Sequence, residues 1–372
     1  MISRGLEGIV AAETRIGDVR GSTGQLIYCG YDINELAGKV SYEEVVHLLW
    51  HSRLPNRHEL EELTTALRAE RELPQGVLNF IRQAPKTAAP IDIMRTVVSM
   101  LGCYPTTRHD LAMSDNEAIA IKLVAQMGVV AAYFHRARNG QDFPPIRRDL
   151  GEAAHFLWLM TGNEPSIDAT RTLDVAYVLH AEHGFNASTF TARVVASTLS
   201  DMYSSISAAI GALKGPLHGG ANEGVIHMLQ EIGTLKNVDP WLEVAFAEKK
   251  KIMGIGHRVY KVLDPRAPHL KAMAIKLSEE LGDPKWIQMS ERIATVMKER
   301  KGLNANVDFY SATVYYSLGI PTDLFTPIFA ISRTSGWTAH VLEQLGDNRL
   351  FRPLSEYVGP EPGKKVTPID ER

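Results

Sequence analysis

The sequence predicts a mainly α-helical protein with a small β-hairpin region near its N-terminus. Only the opening segment, GIVAAETRIGDVRGSTGQLIYCGYDI, alternates apolar and polar residues around glycine-rich turns, which is the pattern of short antiparallel strands. After residue 35 the apolar residues recur with helical period almost without interruption. We therefore expect one or two hairpins followed by a nearly continuous series of helices.

Capping residues indicate where several of these helices begin and end. The pattern S-x-x-E, in which the two side chains satisfy free backbone donors, starts at Ser41 and again at Ser114. A long apolar helix is predicted to stop at Asn139-Gly140, because this pair favours the end of a helix. Residues 188–215 are rich in Ala and Ser and predict two helices, which small side chains allow to pack closely.

The chain is long enough for two domains, since single hydrophobic cores stop growing at roughly 250–300 residues. From about residue 217 to residue 321 the predicted helices become shorter and more charged. The mainly apolar composition of the earlier helices returns in FTPIFAISRTSGWTAHVLEQ. We expect a large helical domain whose first part is 1–220, a small helical domain at 221–321, and the second part of the large domain at 322–372, ending in an arm.

Composition excludes several classes of function. Lys and Arg total 40 against 43 Asp and Glu, so the net charge of −3 gives no basic field for nucleic acid. The two cysteines, Cys29 and Cys103, and a first segment without the features of a signal peptide favour a reducing, cytoplasmic location. We expect no membrane span, and neither G-x-x-x-x-G-K-[ST] nor G-x-G-x-x-G occurs.

Four stretches concentrate His, Asp and Arg among small residues: HAEHGFNAS, GPLHGGAN, MGIGHRVYKVLDPRA and NVDFYSA. His218 precedes a Gly-Gly pair and His257 follows Gly-Ile-Gly, so both lie in sterically open loops. Asp308 lies near the predicted start of a helix. A carboxylate can take a proton from carbon beside a carbonyl if a histidine N–H stabilises the enolate, and a second histidine can protonate an electrophile. This set suits proton abstraction followed by carbon–carbon bond formation.

Other interpretations of these residues exist. An acidic residue such as Asp308 is favoured in a first helical turn for its charge alone. The sequence contains no G-x-S-x-G motif to carry the nucleophile of a Ser-His-Asp hydrolase, which argues against that class of enzyme. His180 and His183 are three residues apart, but H-A-E-H is not a zinc motif and the cysteines are distant, so we expect no metal and a helix-end packing role for His180.

Three arginines lie among neighbours that constrain them, in DPR, ISRTSG and LFRP. They are Arg266, Arg333 and Arg352. Guanidinium groups bind carboxylates with two hydrogen bonds, so three would suit a di- or tricarboxylate, although each alone resembles an ordinary surface arginine. A run of three lysines ending at Lys251 leads into the His257 loop. These lysines either complement a helix dipole or bind a phosphorylated carrier.

Together, the motifs GPLHGGAN, MGIGHRVYKVLDPRA, NVDFYSA and the C-terminal FRPLSEYVGP resemble those of the citrate synthase family in order and spacing. The resemblance extends from RGLEGIV near the N-terminus to the last twenty residues. It implies an almost entirely helical, two-domain, citrate-synthase-like fold. The length resembles that of the short dimeric type found in bacteria and archaea.

The resemblance also implies a role for each motif. Asp308 would take a proton from the acetyl methyl group of acetyl-CoA, His218 would stabilise the enol or enolate, and His257 would protonate the carbonyl of oxaloacetate. Coenzyme A is then a co-substrate, and no cofactor is permanently bound. Oxaloacetate would be held by His183, Arg266, Arg333 and Arg352. The binding site for the adenine of coenzyme A would be lined by Lys251, Ile252, Met253, Gly254 and Ile255.

By the same resemblance the enzyme is a homodimer, in which Arg352 on the C-terminal arm reaches the partner's oxaloacetate. The helices of residues 188–215 would form the interface. The acyl donor stays open, because 2-methylcitrate synthases share these motifs and use propionyl-CoA. One methylene is worth only ~1–3 kcal/mol of discrimination in an apolar pocket.

Overall fold

The computed structural model describes residues 3–104 and 115–372. Its small sheet consists of β1 (Gly17–Arg20), β2 (Gln25–Tyr28) and β3 (Tyr31–Asp32), paired antiparallel in chain order. Val19 pairs with Leu26 in the hairpin. Within the described ranges all the strands precede residue 35, so the prediction of a short N-terminal hairpin region is confirmed.

The rest of the described chain is mainly helical, as predicted. The α-helices are α1 (Ile33–Leu36), α2 (Tyr42–His51), α3 (Arg57–Ala69), α4 (Gln75–Gln83), α5 (Pro90–Leu101), α6 (Asp115–Arg138), α7 (Glu152–Thr161), α8 (Ile167–His180), α9 (Ala187–Ala196), α10 (Met202–Leu213), α11 (Ala221–Ile232), α12 (Val238–Ala247), α13 (Ala267–Leu281), α14 (Lys285–Lys301), α15 (Val307–Ser317) and α16 (Phe325–Gly346).

Several predicted helix boundaries are confirmed. Ser41 and Glu44 form a reciprocal capping box at the start of α2. Helix α6 ends before Gly140, whose φ of +68° is the left-handed conformation that a glycine adopts without strain. The second predicted capping residue, Ser114, lies outside the described residues. The Ala- and Ser-rich segment forms the two predicted helices, α9 and α10, which pack against each other.

Helices α6 and α16 form the centre of the hydrophobic core. Contrary to the expectation from sequence, α6 is long and apolar enough to meet the composition of a membrane span. However, 83% of its apolar window is buried inside the fold, so its composition is explained by core packing. Helix α16 is buried over almost its whole length and carries Arg333 and His340 into the core.

The candidate site forms where five parts of the chain converge. These are the end of α8, the start of α9, the loop between α10 and α11, the irregular segment 249–266, and the start of α15, with the middle of α16 beneath them. Helices α11, α13, α14 and α15 pack against one another, while α6, α9 and α10 pack on α16. Residues far apart in sequence therefore meet in one region of the fold.

Candidate active site

His218 is presented by a tight loop between α10 and α11. A Cβ atom on Gly219 would lie 2.5 Å from the carbonyl oxygen of Leu213, so only glycine allows this close approach. The backbone N–H of Ser188 donates to Nε2 of His218 at 3.3 Å, and the Ser188 hydroxyl lies 2.9 Å from the same nitrogen. Because a backbone N–H can only donate, we assign the ring proton to Nδ1.

Burial, and then the nearby positive charge of Arg333, lower the pKa of His218 to about 4. The ring is therefore neutral at physiological pH. A neutral imidazole with its Nδ1–H unused is a hydrogen-bond donor that adds no charge to the site.

His257 is held by its own loop. The backbone N–H groups of Val259 and Tyr260 donate to its Nδ1 at 3.0 and 3.1 Å, so the ring proton lies on Nε2. Burial, and then the charge of Arg266, lower the pKa of His257 to about 4. His257 is thus a second neutral donor, and it presents the opposite ring nitrogen from His218.

His183 follows the end of α8 and faces His257. Their ring centroids are 5.5 Å apart, and Nε2 of His183 lies 3.1 Å from the hydroxyl oxygen of Tyr260. The buried Glu182 carboxylate accepts a hydrogen bond from the backbone N–H of Gly184, which fixes the turn that carries His183. Burial and the charge of Arg266 hold the pKa of His183 well below its usual value.

Arg266 is buried beside the start of α15. Its Nε and Nη2 donate to the two carboxylate oxygens of Asp264 at 3.0 and 2.8 Å. Asp264 also accepts the backbone N–H of Val307, the residue before Asp308, at 3.2 Å. One carboxylate therefore fixes the arginine relative to the helix start that carries the proposed base.

Asp308 occupies the first turn of α15, as predicted. Asn306 caps this helix, and its side-chain oxygen accepts the backbone N–H of Asp308 at 3.0 Å. Across the part of the chain that the structure describes, no hydrogen bond or ion pair joins the half-buried Asp308 carboxylate to another group. Burial raises the pKa of Asp308 to about 6, against the opposing influence of Arg266. The carboxylate is thereby a stronger base than an ordinary aspartate.

Arg333 is a buried cation that has no carboxylate partner among the described residues. Its Nε donates to the carbonyl oxygen of His180 at 2.6 Å, and its guanidinium carbon lies 4.8 Å from the ring centre of Phe329. Among residues 3–104 and 115–372, no acceptor contacts its two terminal nitrogens. Burial lowers the pKa of Arg333 to about 10. A guanidinium removed from water in this way attracts an anionic ligand strongly.

The structure brings six of the seven predicted catalytic and substrate-binding residues into one cluster: His183, His218, His257, Asp308, Arg266 and Arg333. Besides the contacts above, His218 and Arg333 share the ring of Phe329, whose centre lies 6.3 Å from that of His218. The seventh, Arg352, is exposed after the end of α16, where its Nη1 donates to the carbonyl of Pro353 at 3.1 Å. Arg352 makes no contact with the cluster of its own chain.

The loop Lys251–Ile255 lies against the start of α15. Its Gly254 carbonyl accepts the backbone N–H of Asn306 at 2.9 Å, and Ile255 forms a β-bridge with Ala305. A Cβ on Gly254 would lie 2.7 Å from Val225 and 2.9 Å from the Cα of Phe309. That glycine therefore allows close packing within the chain.

Sequence reasoning missed three residues that hold the site together: Ser188, Tyr260 and Asp264. Each lies within one of the quoted motifs, in HGFNAS, GHRVYK and LDPR. Only Asp264 had a usable signal, since an acidic residue two positions before an arginine in DPR is placed for a local ion pair. The partners of Ser188 and Tyr260 are 30 and 77 residues away in sequence, so their roles depend on the fold.

His180 packs at the end of α8. Its Nδ1 donates to the carbonyl of Ala176 at 2.8 Å, and its ring contacts Phe329 edge-on with centroids 5.1 Å apart. Within residues 3–104 and 115–372, no group of three or more His, Cys, Asp or Glu side chains is arranged to hold a metal ion. The chemistry of this cluster is that of proton donors, a base and anion-binding guanidinium groups.

Comparisons with known proteins agree with this arrangement. The family model described as citrate synthase, C-terminal domain, matches residues 5–354. The chain is 49% identical to citrate synthase 2 of Bacillus subtilis, covering 100% of this chain and 99% of that protein. It is 41% identical to 2-methylcitrate synthase 1 of Corynebacterium glutamicum, covering 100% and 98%.

A solved structure shows the same architecture. The citrate synthase of the archaeon Thermoplasma acidophilum, in a ternary complex with carboxymethyl coenzyme A and oxaloacetate, matches with a TM-score of 0.91 and 32% identity, and all of both chains is covered. The matching family model and these full-length similarities lead to one conclusion. The chain belongs to the citrate synthase family.

Proposed function

We propose that the protein condenses acetyl-CoA with oxaloacetate to give citrate and coenzyme A. The observation that carries this proposal is the cluster of the half-buried Asp308 carboxylate with two neutral imidazoles. Within the described residues this carboxylate has no hydrogen-bond partner, and each imidazole retains one free N–H. A base and two uncharged donors are what enolisation followed by carbon–carbon bond formation requires.

In the first step Asp308 takes a proton from the acetyl methyl group. The electron pair of the broken C–H bond moves toward the thioester carbonyl, whose oxygen becomes an enolate or, with a proton, an enol. The Nδ1–H of His218 donates a hydrogen bond to this oxygen as its charge develops. The raised pKa of Asp308, about 6, reduces the difference between the pKa of this base and that of the weakly acidic methyl group.

In the second step the enol carbon attacks the keto carbon of oxaloacetate. The keto oxygen gains negative charge as the new bond forms, and the Nε2–H of His257 supplies its proton. The product is citryl-CoA. Water then cleaves its thioester bond, which releases citrate and the thiol of coenzyme A and makes the sequence irreversible.

Oxaloacetate is a dianion, and the cluster offers cationic and neutral groups to hold it. We infer that the free terminal nitrogens of Arg333 bind one carboxylate and that Arg266 and His183 bind the remaining oxygens. The pairing of Arg266 with Asp264 uses only part of its guanidinium. The oxaloacetate complex of the Thermoplasma acidophilum enzyme supports this class of ligand.

Coenzyme A is proposed to bind as a co-substrate along Lys251, Ile252, Met253, Gly254 and Ile255, with no permanently bound cofactor or metal. This loop contacts the helix start that carries Asp308, so a bound thioester would reach the base. The carboxymethyl coenzyme A complex of the same archaeal relative supports a coenzyme A site. Two free cysteines favour a reducing, cytoplasmic location, which cell fractionation tests.

The alternative function is that of a 2-methylcitrate synthase, which the 41% identity to the Corynebacterium glutamicum protein of that name supports. Purified enzyme with oxaloacetate and either acetyl-CoA or propionyl-CoA decides between them, with thiol release as the measurement. We expect kcat/KM to be higher for acetyl-CoA. A higher value for propionyl-CoA would assign the alternative, and no thiol release from either donor would reject both.

The active unit is proposed to be a homodimer in which Arg352 serves the partner's site. From Arg352 to the end of the chain every residue is exposed, including the apolar side chains of Leu354, Tyr357 and Val358. Exposed apolar side chains in a contiguous segment offer a surface for a protein partner. The proposed occupant of that surface is the neighbouring subunit, with α9 and α10 at the interface.

A mixed dimer tests this assignment. Arg352→Ala and His218→Ala chains are co-expressed with different tags and the hybrid is isolated. If Arg352 acts in the partner, one site of the hybrid carries both lesions and the other carries neither, so about half of the wild-type activity returns. If Arg352 acts in its own chain, each site carries one lesion, and a hybrid as inactive as its parents would overturn the assignment.

The two-domain division at residues 220 and 321 is likewise proposed, with closure completing the site. His183 and Arg333 would come from the large domain, and His257, Arg266 and Asp308 from the small one. Because oxaloacetate contacts both, we expect it to favour closure and to bind first. Small-angle scattering should show compaction with oxaloacetate, and equal compaction with acetyl-CoA alone would contradict this order.

A further inference from the structure

The hairpin formed by β1 and β2 is anchored at its base beside His183. The hydroxyl of Tyr28, at the end of β2, donates to the carbonyl oxygen of Glu182 at 2.9 Å. Gly17, at the start of β1, lies so close to Glu182 that a Cβ there would be 2.9 Å from its Cγ. Tyr28 is completely buried, so the base of the hairpin has little freedom to move.

The turn at the other end of the hairpin contacts the segment that follows His257. The backbone N–H of Lys261 donates to the carbonyl oxygen of Gly21 at 3.0 Å. A Cβ atom on Gly21 would lie 2.3 Å from the carbonyl oxygen of Val259 and 2.9 Å from its carbonyl carbon. The space that a side chain at position 21 would need is therefore occupied by backbone atoms of Val259.

The carbonyl of Val259 and the N–H of Tyr260 belong to one peptide group. The N–H side of this group donates to Nδ1 of His257 at 3.1 Å, and the carbonyl side packs on Gly21. A peptide group is planar and stiff, so its two sides move together. Any displacement of the Val259 carbonyl from Gly21 consequently tilts the N–H that orients the imidazole.

We propose that Gly21 is a positioning residue for His257, which seats the Val259–Tyr260 peptide against the hairpin and thereby aims Nε2–H of His257 into the site. The hairpin joins this loop to that of His183 and so fixes the separation of the two histidines. The catalytic consequence rests on the function proposed above, whereas the structural consequence does not.

The variant Gly21→Ala tests the contact with one methyl group. The φ angle of Gly21 is not in the left-handed region, so alanine fits the backbone and the change acts through the Val259 carbonyl. We expect kcat for citrate formation to fall about tenfold to a hundredfold, since small misplacements of catalytic groups have effects of that size. Exchange of the acetyl methyl protons, which requires Asp308 and His218, should stay within about twofold.

Gly346→Ala is the matched control, because a Cβ there meets nothing within 4 Å. Its kcat should equal that of the wild type. A Gly21→Ala enzyme with unchanged kcat would overturn the proposal. Equal losses of citrate formation and of methyl-proton exchange would also overturn it, since they would indicate a general disturbance of the site.

A second readout does not depend on catalysis. The ring of His257 is followed by nuclear magnetic resonance with labelled histidine and assigned with His257→Gln. The charged groups that face it are Arg266, Asp264 and Lys261. In Gly21→Ala the ring should gain contact with water, and its titration should move up toward the usual histidine range. Unchanged resonances would reject the positioning role, even in an enzyme found to make no citrate.

Wild-type protein provides a measurement that no misfolded variant can obscure. If the Gly21 carbonyl holds the amide of Lys261, that amide should exchange its hydrogen slowly. The amide of Gly346, at the end of α16, takes no part in this contact and serves as the reference for the folded fraction. Exchange of the Lys261 amide at the rate of an unstructured peptide would contradict the proposed contact.

Discussion

The two histidine loops share a glycine-rich sequence but are held by different means. Nε2 of His218 accepts from Ser188 on another helix, and the Ser188 hydroxyl is in turn bound by the buried Trp337. Nδ1 of His257 accepts from the two residues that follow it within an irregular segment. The first ring depends on the helical core, and the second depends on the loop and on whatever supports that loop.

This difference has a chemical consequence. Both rings are neutral, yet His218 offers Nδ1–H and His257 offers Nε2–H, because a different nitrogen of each is engaged by the backbone. Two fixed tautomers allow two donors to face two substrates without placing additional positive charge beside Arg266 and Arg333. The ring embedded in the core is expected to tolerate change around it better than the ring held by a loop.

The largest effect should come from Asp308, the proposed base. Asp308→Asn removes the proton acceptor and keeps the shape, so kcat should fall by roughly 10³–10⁴ while oxaloacetate still binds. Steady-state kinetics and calorimetric titration measure the two quantities. Asp142→Asn, at an exposed carboxylate, is the control and should be unaffected. Lost oxaloacetate binding with intact chemistry would reverse the assignment.

The same carboxylate should set the acidic limit of the rate. Burial raises the pKa of Asp308 to about 6, and the base acts only when it is ionised. In the free enzyme, kcat/KM should therefore decrease about tenfold per pH unit below about pH 6 and level off above it. A profile whose acidic limb is centred near the ordinary aspartate value of ~4 would show that burial does not raise the pKa of the base.

Variants of the two proposed donors, His218 and His257, should impair different steps of the reaction. His218→Ala should abolish exchange of the acetyl methyl protons in the presence of an oxaloacetate analogue that cannot be attacked, because the enolate loses its donor. His257→Gln should retain this exchange and lose citrate formation by roughly 10²–10⁴. Exchange that survives in His218→Ala would remove that residue from enolisation, and exchange lost in His257→Gln would make the roles indistinguishable.

Much of the fold could be predicted because its signals are local. The alternation before residue 35, the cap at Ser41 and the stop at Gly140 each act within a few residues, and all agree with the structure. The apolar composition of α6 was harder to interpret, since a buried core helix and a membrane span have the same composition. Only the surrounding helices decide between them.

The proximity of the motif residues His218, His257 and Asp308 could be predicted, and their chemical roles stay a proposal. The residues that position these side chains could not be predicted, because their contacts join parts of the chain that are far apart in sequence. Tyr260 meets His183 and Gly21 meets Val259 only in the folded chain. Arg352 is exposed and lies away from the cluster of its own chain, and no local pattern around LFRP indicates that position.

A smaller effect is expected from Tyr260, which connects the two loops. Tyr260→Phe removes the hydroxyl that lies 3.1 Å from Nε2 of His183 and leaves the ring in place. A hydrogen bond of this kind contributes about 1 kcal/mol, so KM for oxaloacetate should rise about fivefold with kcat within twofold. Tyr31→Phe, in the exposed β3, is the control. A large fall in kcat at constant KM would instead place the hydroxyl in proton transfer.

The smallest effect on activity should come from Ser188→Ala, although its effect on stability should be clear. The substitution leaves the Nε1–H of Trp337 buried without its partner, which should lower the free energy of unfolding by about 1–3 kcal/mol. The backbone N–H that sets the tautomer of His218 remains, so kcat should fall less than about fivefold.

Ser205→Ala supplies the comparison for thermal unfolding, because Ser205 is also buried and its hydroxyl donates to the carbonyl oxygen of Asp201 at the start of the same helix. If kcat of Ser188→Ala dropped as far as that of His218→Ala, the hydroxyl rather than the backbone would fix the imidazole. The distinction between a ring held by backbone and core and a ring held by its loop would then be wrong. Retained activity in a destabilised protein would instead separate the packing role of Ser188 from its catalytic support.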